Sequence, residues 1–157
     1  MICLLAVLAA CGFQPRGKLA VASDLGPVKV LTSDPYSPLA QGLSTALLRA
    51  GAQIAEEGQP SATLRIRSET WRTRPLAVDS NAQVREYQTR YRVVFDVVDA
   101  AGATRVASQD IELTREYTYD VTAAVGSPAE QALLQDELRR DMQAAILRRL
   151  DAVLRAD

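Results

Sequence analysis

Few residues in this chain can do chemistry. The cysteines are Cys3 and Cys11, and histidine is absent. Without imidazole there is no Ser-His-Asp triad, no HExxH zinc site and no ordinary near-neutral general base. Both thiols fall within the first eleven residues, so they cannot build a CxxC pair, a zinc cluster or a spread disulfide framework. Carboxylates are numerous, but no Asp or Glu pair sits in an apolar context that would lift one pKa for acid–base work. Asp96 and Asp110 fall on polar-facing alternations and are expected to be solvated. Phosphate-cradling glycine loops, the GxSxG elbow and the DxDxDG calcium loop are also missing. The expectation is a protein that is not an enzyme and holds no metal or cofactor.

Arginine is the uneven feature. Arg65, Arg67, Arg72, Arg74, Arg85, Arg90 and Arg92 crowd one stretch, against Glu69, Asp79 and Glu86. On extended strands, alternation pairs Arg65 with Arg67, Arg72 with Arg74 and Arg90 with Arg92 on common faces, and sets Glu69 beside the first pair. Planar guanidinium forks suit phosphate oxygens. A glycolipid head-group phosphate is therefore a candidate ligand, with Arg72, Arg74, Arg85 and Arg90 as candidate contacts. The alternative is a solvated sheet face whose charges discourage aggregation. Trp71, Tyr87 and Tyr91 are interleaved with the basic stretch, a pattern that single-strand nucleic-acid binders also show. The net charge of −1 gives no general pull toward nucleic acid, and no nucleic-acid partner is expected.

The N-terminus gives Cys11 a different chemistry. Residues 1–10, MICLLAVLAA, form an apolar run of signal-peptide length, about half what a bilayer-spanning helix needs. It ends in Leu8-Ala9-Ala10-Cys11, which resembles the lipobox of bacterial lipoprotein precursors. Small side chains there fit the peptidase groove, and only a thiol gives the thioether to diacylglycerol. No Lys or Arg precedes Arg16, which fits a start a few codons upstream or an atypical signal. On this reading residues 1–10 are removed, Cys3 goes with them, and Cys11 is lipidated. Each buried methylene contributes about 0.8 kcal/mol, so two or three acyl chains anchor almost permanently. Gly12 after the cysteine resembles sorting to the outer membrane, which puts the globular part in the periplasm.

A chain of 157 residues is one domain's worth. Pro27–Thr32, PVKVLT, is a short β-branched run between turn residues and predicts a strand. Pro38–Ala50 spaces Leu39, Leu43, Ala46, Leu47 and Ala50 by threes and fours, with Ser37 as N-cap, Pro38 at the first helical position and Gly51 past the end. Ser61–Arg74 then alternates, with Leu64 and Ile66 on one side. Pro75–Ala82 is expected to be a loop. Val84–Val98 carries Tyr87, Tyr91, Val93, Phe95 and Val97 on odd positions, and Arg105–Tyr119 does the same with Ile111, Leu113, Tyr117 and Tyr119. Asp99–Thr104 between them has hairpin chemistry. Ser127-Pro128-Ala129-Glu130 is a capping box that opens a helix with the stripe Leu134, Leu138, Met142, Ile146, Leu150, Val153. The order β-α-β-β-β-α, with one apolar face per element, predicts an α+β two-layer sandwich: a four-stranded sheet with two helices packed on one face.

Several motifs then resemble one family. They are Cys11-Gly12-Phe13 with Arg16-Gly17, Arg85-Glu86-Tyr87 opening a long strand, Thr114-Arg115-Glu116-Tyr117 closing the next, Glu130, and Glu137-Leu138 to Asp141-Met142 ending Ile146-Leu147-Arg148-Arg149-Leu150. In order and spacing they resemble the LPS-assembly lipoprotein family, LptE, across nearly all of residues 11–157. The resemblance implies a single domain on that stretch with the fold just derived. It also implies a non-enzymatic role in lipopolysaccharide transport, as an outer-membrane lipoprotein that plugs and helps assemble the β-barrel LptD and contacts lipopolysaccharide. Positions that are basic in some relatives fall near Ser80 and Ser127, neither basic here, leaving Arg85 or Arg74 as the nearest stand-ins. The competing class is a stand-alone periplasmic lipid-binding lipoprotein without a barrel partner.

Overall fold

The computed structural model describes residues 25–78, 84–118 and 127–156. The lipobox and Cys11, the loop around Ser80, and Tyr119 lie outside the described residues. The elements follow as β1 (Val28–Leu31), α1 (Pro38–Arg49), β2 (Ala62–Val78), β3 (Val84–Val98), β4 (Thr104–Thr118) and α2 (Ser127–Leu154). The four strands make one sheet in chain order, with β1 parallel to β2 and the other neighbours antiparallel. The expected α+β architecture and element order are therefore observed.

Local chemistry sets the boundaries. Ser37 Oγ accepts from the Ala40 amide at 3.3 Å and opens α1. At the other end Gly51, at φ 92°, donates to Leu48 O while the Ala52 amide reaches Leu47 O at 3.0 Å. That left-handed residue is why glycine stands there. In the β3–β4 turn the Asp99 carboxylate accepts from the Ala101 and Ala103 amides at 2.9 and 2.8 Å. α2 begins at Ser127, but the side chains of Ser127 and Pro128, and so the capping box, lie outside what is described.

The core fills the space between the sheet and both helices. Leu39, Leu43 and Leu47 of α1 and Leu138, Met142, Ile146, Leu150 and Leu154 of α2 bury against Leu64, Ile66, Tyr91, Val93, Phe95, Val97 and Val106. The α2 stripe is the expected one from Leu138 to Leu150, while Leu134 and Val153 at its ends are only partly buried and Leu154 is buried. Both helices lie on the face that carries the odd residues of β3.

Two features depart from the expectation. β2 runs on to Val78 instead of ending at Arg74, and Pro75 pairs with Tyr87. A proline is tolerated there because β2 is an edge beyond Leu31 and its register shifts between Pro75 and Ala77. The second departure is a β-bulge between Ile66 and Ser68. A bulge inserts one residue, so parity reverses: even residues of β2 face the core before Arg67, and odd residues face it after.

Candidate functional site

The reversal at Arg67 decides which face each arginine occupies. Cross-strand partners share a face, and the register matches Thr70 with Arg92, Arg72 with Arg90, and Arg74 with Gln88. These residues therefore line the open side of the sheet, away from the helices, together with Arg65 and its partner Asp96. The alternation before the bulge and the alternation after it converge on one surface.

β4 contributes the opposite charge to that surface. Arg92 Nε donates to both oxygens of Asp110 at 2.9 and 3.0 Å, and Arg90 lies 3.8 Å from Glu112. The Arg92 guanidinium, chiefly through its hydrogen bonds, holds the Asp110 carboxyl below the ordinary carboxylate range. Gln88 is a hub: its Oε1 accepts from Arg74 Nε and Arg90 Nε at 3.0 and 3.1 Å, and its Nε2 donates to Glu116 at 2.9 Å. A shallow hollow of about 240 Å³ is lined by Thr70, Arg72, Arg90, Arg92 and Glu112. Among the described residues, Arg72 has no ion-pair partner, so it is the uncommitted cation of this hollow. The side chain of Arg85 lies outside the described residues.

At the other end of the same face, Arg65 Nε meets Asp96 at 2.5 Å and Arg67 approaches the other carboxylate oxygen at 3.7 Å. Asp96 is buried, which corrects the expectation of a solvated carboxylate. Two guanidinium groups, in place of water, satisfy its charge.

Glu69 is also corrected. After the bulge it turns to the helix side, where Oε1 accepts from the Tyr91 hydroxyl at 2.8 Å and Oε2 from Ser37 Oγ at 3.3 Å. Tyr91 stacks on Trp71 with centroids 3.8 Å apart, and the Arg139 guanidinium lies 5.4 Å from the Trp71 ring centre. Burial first, then the hydrogen bond to Glu69, pushes the Tyr91 hydroxyl well above the usual tyrosine range. Sequence periodicity missed this network, since its only signal is the bulge. The parity reversal also puts the sheet between Trp71 and Tyr91 on one side and Arg72, Arg74, Arg90 and Arg92 on the other, so these two rings and those four guanidinium groups do not form one stacking platform. Among the described residues no group of three or more metal-ligating side chains converges.

Comparison with known proteins bears directly on this fold. The family described as LptE, lipopolysaccharide-assembly, matches residues 25–150. The chain belongs to the LptE family. A relative named LPS-assembly lipoprotein LptE, from Photorhabdus laumondii, is 26% identical over 152 residues, covering 96% of this chain and 82% of that protein. One from Pectobacterium atrosepticum is 25% identical over 92% of this chain and 78% of its own length. Lipoprotein B from Nitrosomonas europaea superposes with a TM-score of 0.75 at 24% identity, over 90% of this chain and 91% of that one. The rare lipoprotein B of Shewanella oneidensis gives 0.70 at 23% identity, over 81% and 95%. These two likenesses concern the fold. As an LptE-family member the chain has a function in lipopolysaccharide assembly, and among its described residues no helix is long and apolar enough to cross a membrane.

Proposed function

We propose that this protein is an outer-membrane lipoprotein that plugs and helps assemble the β-barrel LptD and assists lipopolysaccharide transport at the cell surface. Residues 1–10 are its signal peptide, Cys11 carries the lipid, and 11–157 form one domain on the periplasmic side. It binds and guides rather than catalyses, without metal or cofactor. Membership of the LptE family over residues 25–150 is the observation that carries this reading. The lipobox-like Leu8-Ala9-Ala10-Cys11 supports the anchor. The arginines Arg72, Arg74, Arg85 and Arg90 are its lipopolysaccharide contacts, supported by the uncommitted Arg72 beside Arg90 and by the fit of guanidinium forks to phosphate.

Purification from outer membranes in mild detergent tests the reading. The expected result is stoichiometric co-elution of a large barrel protein. A monomer carrying lipid and no barrel would instead establish the stand-alone lipid-binding class. Replacing Arg72, Arg74 and Arg90 with Ala is expected to leave the barrel bound while weakening lipopolysaccharide binding and flattening its salt dependence. Unchanged affinity and salt slope would remove the arginines from the ligand site.

A further inference from the structure

β1 pairs with β2 only from Ala62 to Arg65. Beyond Arg65 no strand lies on that side of β2 among the described residues, although β2 continues to Val78 against β3. Length explains why β1 leaves so much of it bare: four strand residues span about 13 Å, whereas seventeen span about 56 Å. Two irregularities bound the bare stretch, the bulge at Ile66/Ser68 and the shift at Pro75/Ala77. Between them lie Ser68–Pro75, eight regularly paired residues, of which the seven before the proline, Ser68–Arg74, are enough for one ordinary strand.

The two sides of this edge differ. On the helix side are Glu69, Trp71 and Thr73. Beside them the Asp34 turn holds Tyr36, a residue 81% exposed whose amide donates to Asp34 Oδ1 at 2.9 Å. Its neighbour Ser37 donates to Glu69 Oε2 at 3.3 Å, which brings the backbone of this turn close to the edge. On the open side are Ser68, Thr70, Arg72 and Arg74. Leu31, 53% exposed, and Ile66 line a hollow with Arg65 and Arg67 at the point where β1 leaves. Edges are commonly blunted by charge, proline and bulges. Here the bulge and Pro75 bound a regular stretch instead of interrupting it.

We propose that Ser68–Arg74 of β2 is a docking edge for an extended polypeptide segment of a partner protein, added as a fifth strand. Its alternate residues are acidic opposite Arg72 and Arg74, and apolar opposite Trp71 and Tyr36. Backbone hydrogen bonds supply the adhesion and side-chain alternation the selectivity. A second copy of this edge is a poor occupant, because the only charged side chains it brings to the open side are the same two arginines. The proposal stands apart from the lipopolysaccharide reading: a phosphate can meet Arg72 but cannot occupy the backbone of β2.

Amide hydrogen exchange on the full mature chain tests it. The probe is a short synthetic peptide alternating Glu and Val, with a Lys/Val peptide and inorganic phosphate as controls. The expected result is about tenfold slower exchange at amides within Ser68–Arg74 with the acidic peptide only. Replacing both arginines, R72E with R74E, is expected to transfer that protection to the Lys/Val peptide. The proposal is overturned if no protection appears at this stretch, if both peptides protect equally, or if protection moves to the β4 edge. Protection that rises with protein concentration alone would assign the edge to a second copy and overturn it equally.

Discussion

At the residue scale, the hydroxyl of Tyr91 ties the buried ring to the polar network on the helix side. Its hydrogen bond runs from a fully buried residue to the half-buried Glu69. Tyr91→Phe keeps the stack on Trp71 and strands one carboxylate oxygen, so a loss of about 1–3 kcal/mol in unfolding free energy is expected by urea denaturation. The hydroxyl's pKa lies above its ordinary 10.0, from burial first and Glu69 second. The folded chain therefore keeps a proton that the unfolded chain releases above that value. Stability is complete below it and falls as pH rises past it. A urea midpoint followed from about pH 8 to 11 should fall less steeply in Tyr91→Phe than in the parent. Identical alkaline slopes would remove Tyr91 as the source. None of this was legible in the sequence, where Glu69 carries the same parity as Arg65 and Arg67.

At the scale of elements, helix α1 was legible almost to the residue, because its signals are local: Ser37 before Pro38, leucines at three and four, Gly51 after the end. The end of β2 was not. Pro75 marks a loop in isolation, and only its position on an edge lets it stay in the sheet. One contact between the helices was also invisible. A Cβ at Gly42 would fall 2.0 Å from Gln143 Nε2, so this glycine makes room for the α2 side chain. In a helix interior, alanine in place of glycine contributes about 1 kcal/mol. Gly42→Ala alone should therefore be close to neutral, the gain being offset by displacing the Gln143 amide. In a Gln143→Ala background the same change should stabilise by about 1 kcal/mol. Equal effects in both backgrounds, measured by chemical denaturation, would mean that Gln143 is not what the glycine accommodates.

At the scale of the whole molecule, the two faces of the sheet have separate tasks. One is sealed by helices and holds the core. The other carries an arginine row on β2 and β3, opposed by Asp110, Glu112 and Glu116 of β4. Counted along the chain from Arg65 to Arg92, the stretch looks strongly basic. Counted across the sheet, Arg90 and Arg92 are engaged, and among the described residues Arg72 has no ion-pair partner. The proposed lipid anchor belongs to this scale too. With Cys11→Ala the protein should lose its anchor and appear in the soluble fraction or as unprocessed precursor. Normal membrane fractionation of that variant would dismiss the lipidation reading.

The element order, the caps of α1, the hairpin turn and most of the apolar stripes could be read from the amino-acid sequence, as could the lipobox-like Leu8–Cys11 and the family motifs. All of these depend on residues within a few positions of one another. Only the tertiary structure decided which arginines share a surface, which carboxylates oppose them, and which way Glu69 points. Those outcomes turn on a single inserted residue at Arg67 and on pairing with residues up to thirty-five positions away. A one-residue shift leaves local propensity almost unchanged, yet it moves every later side chain of β2 to the other face.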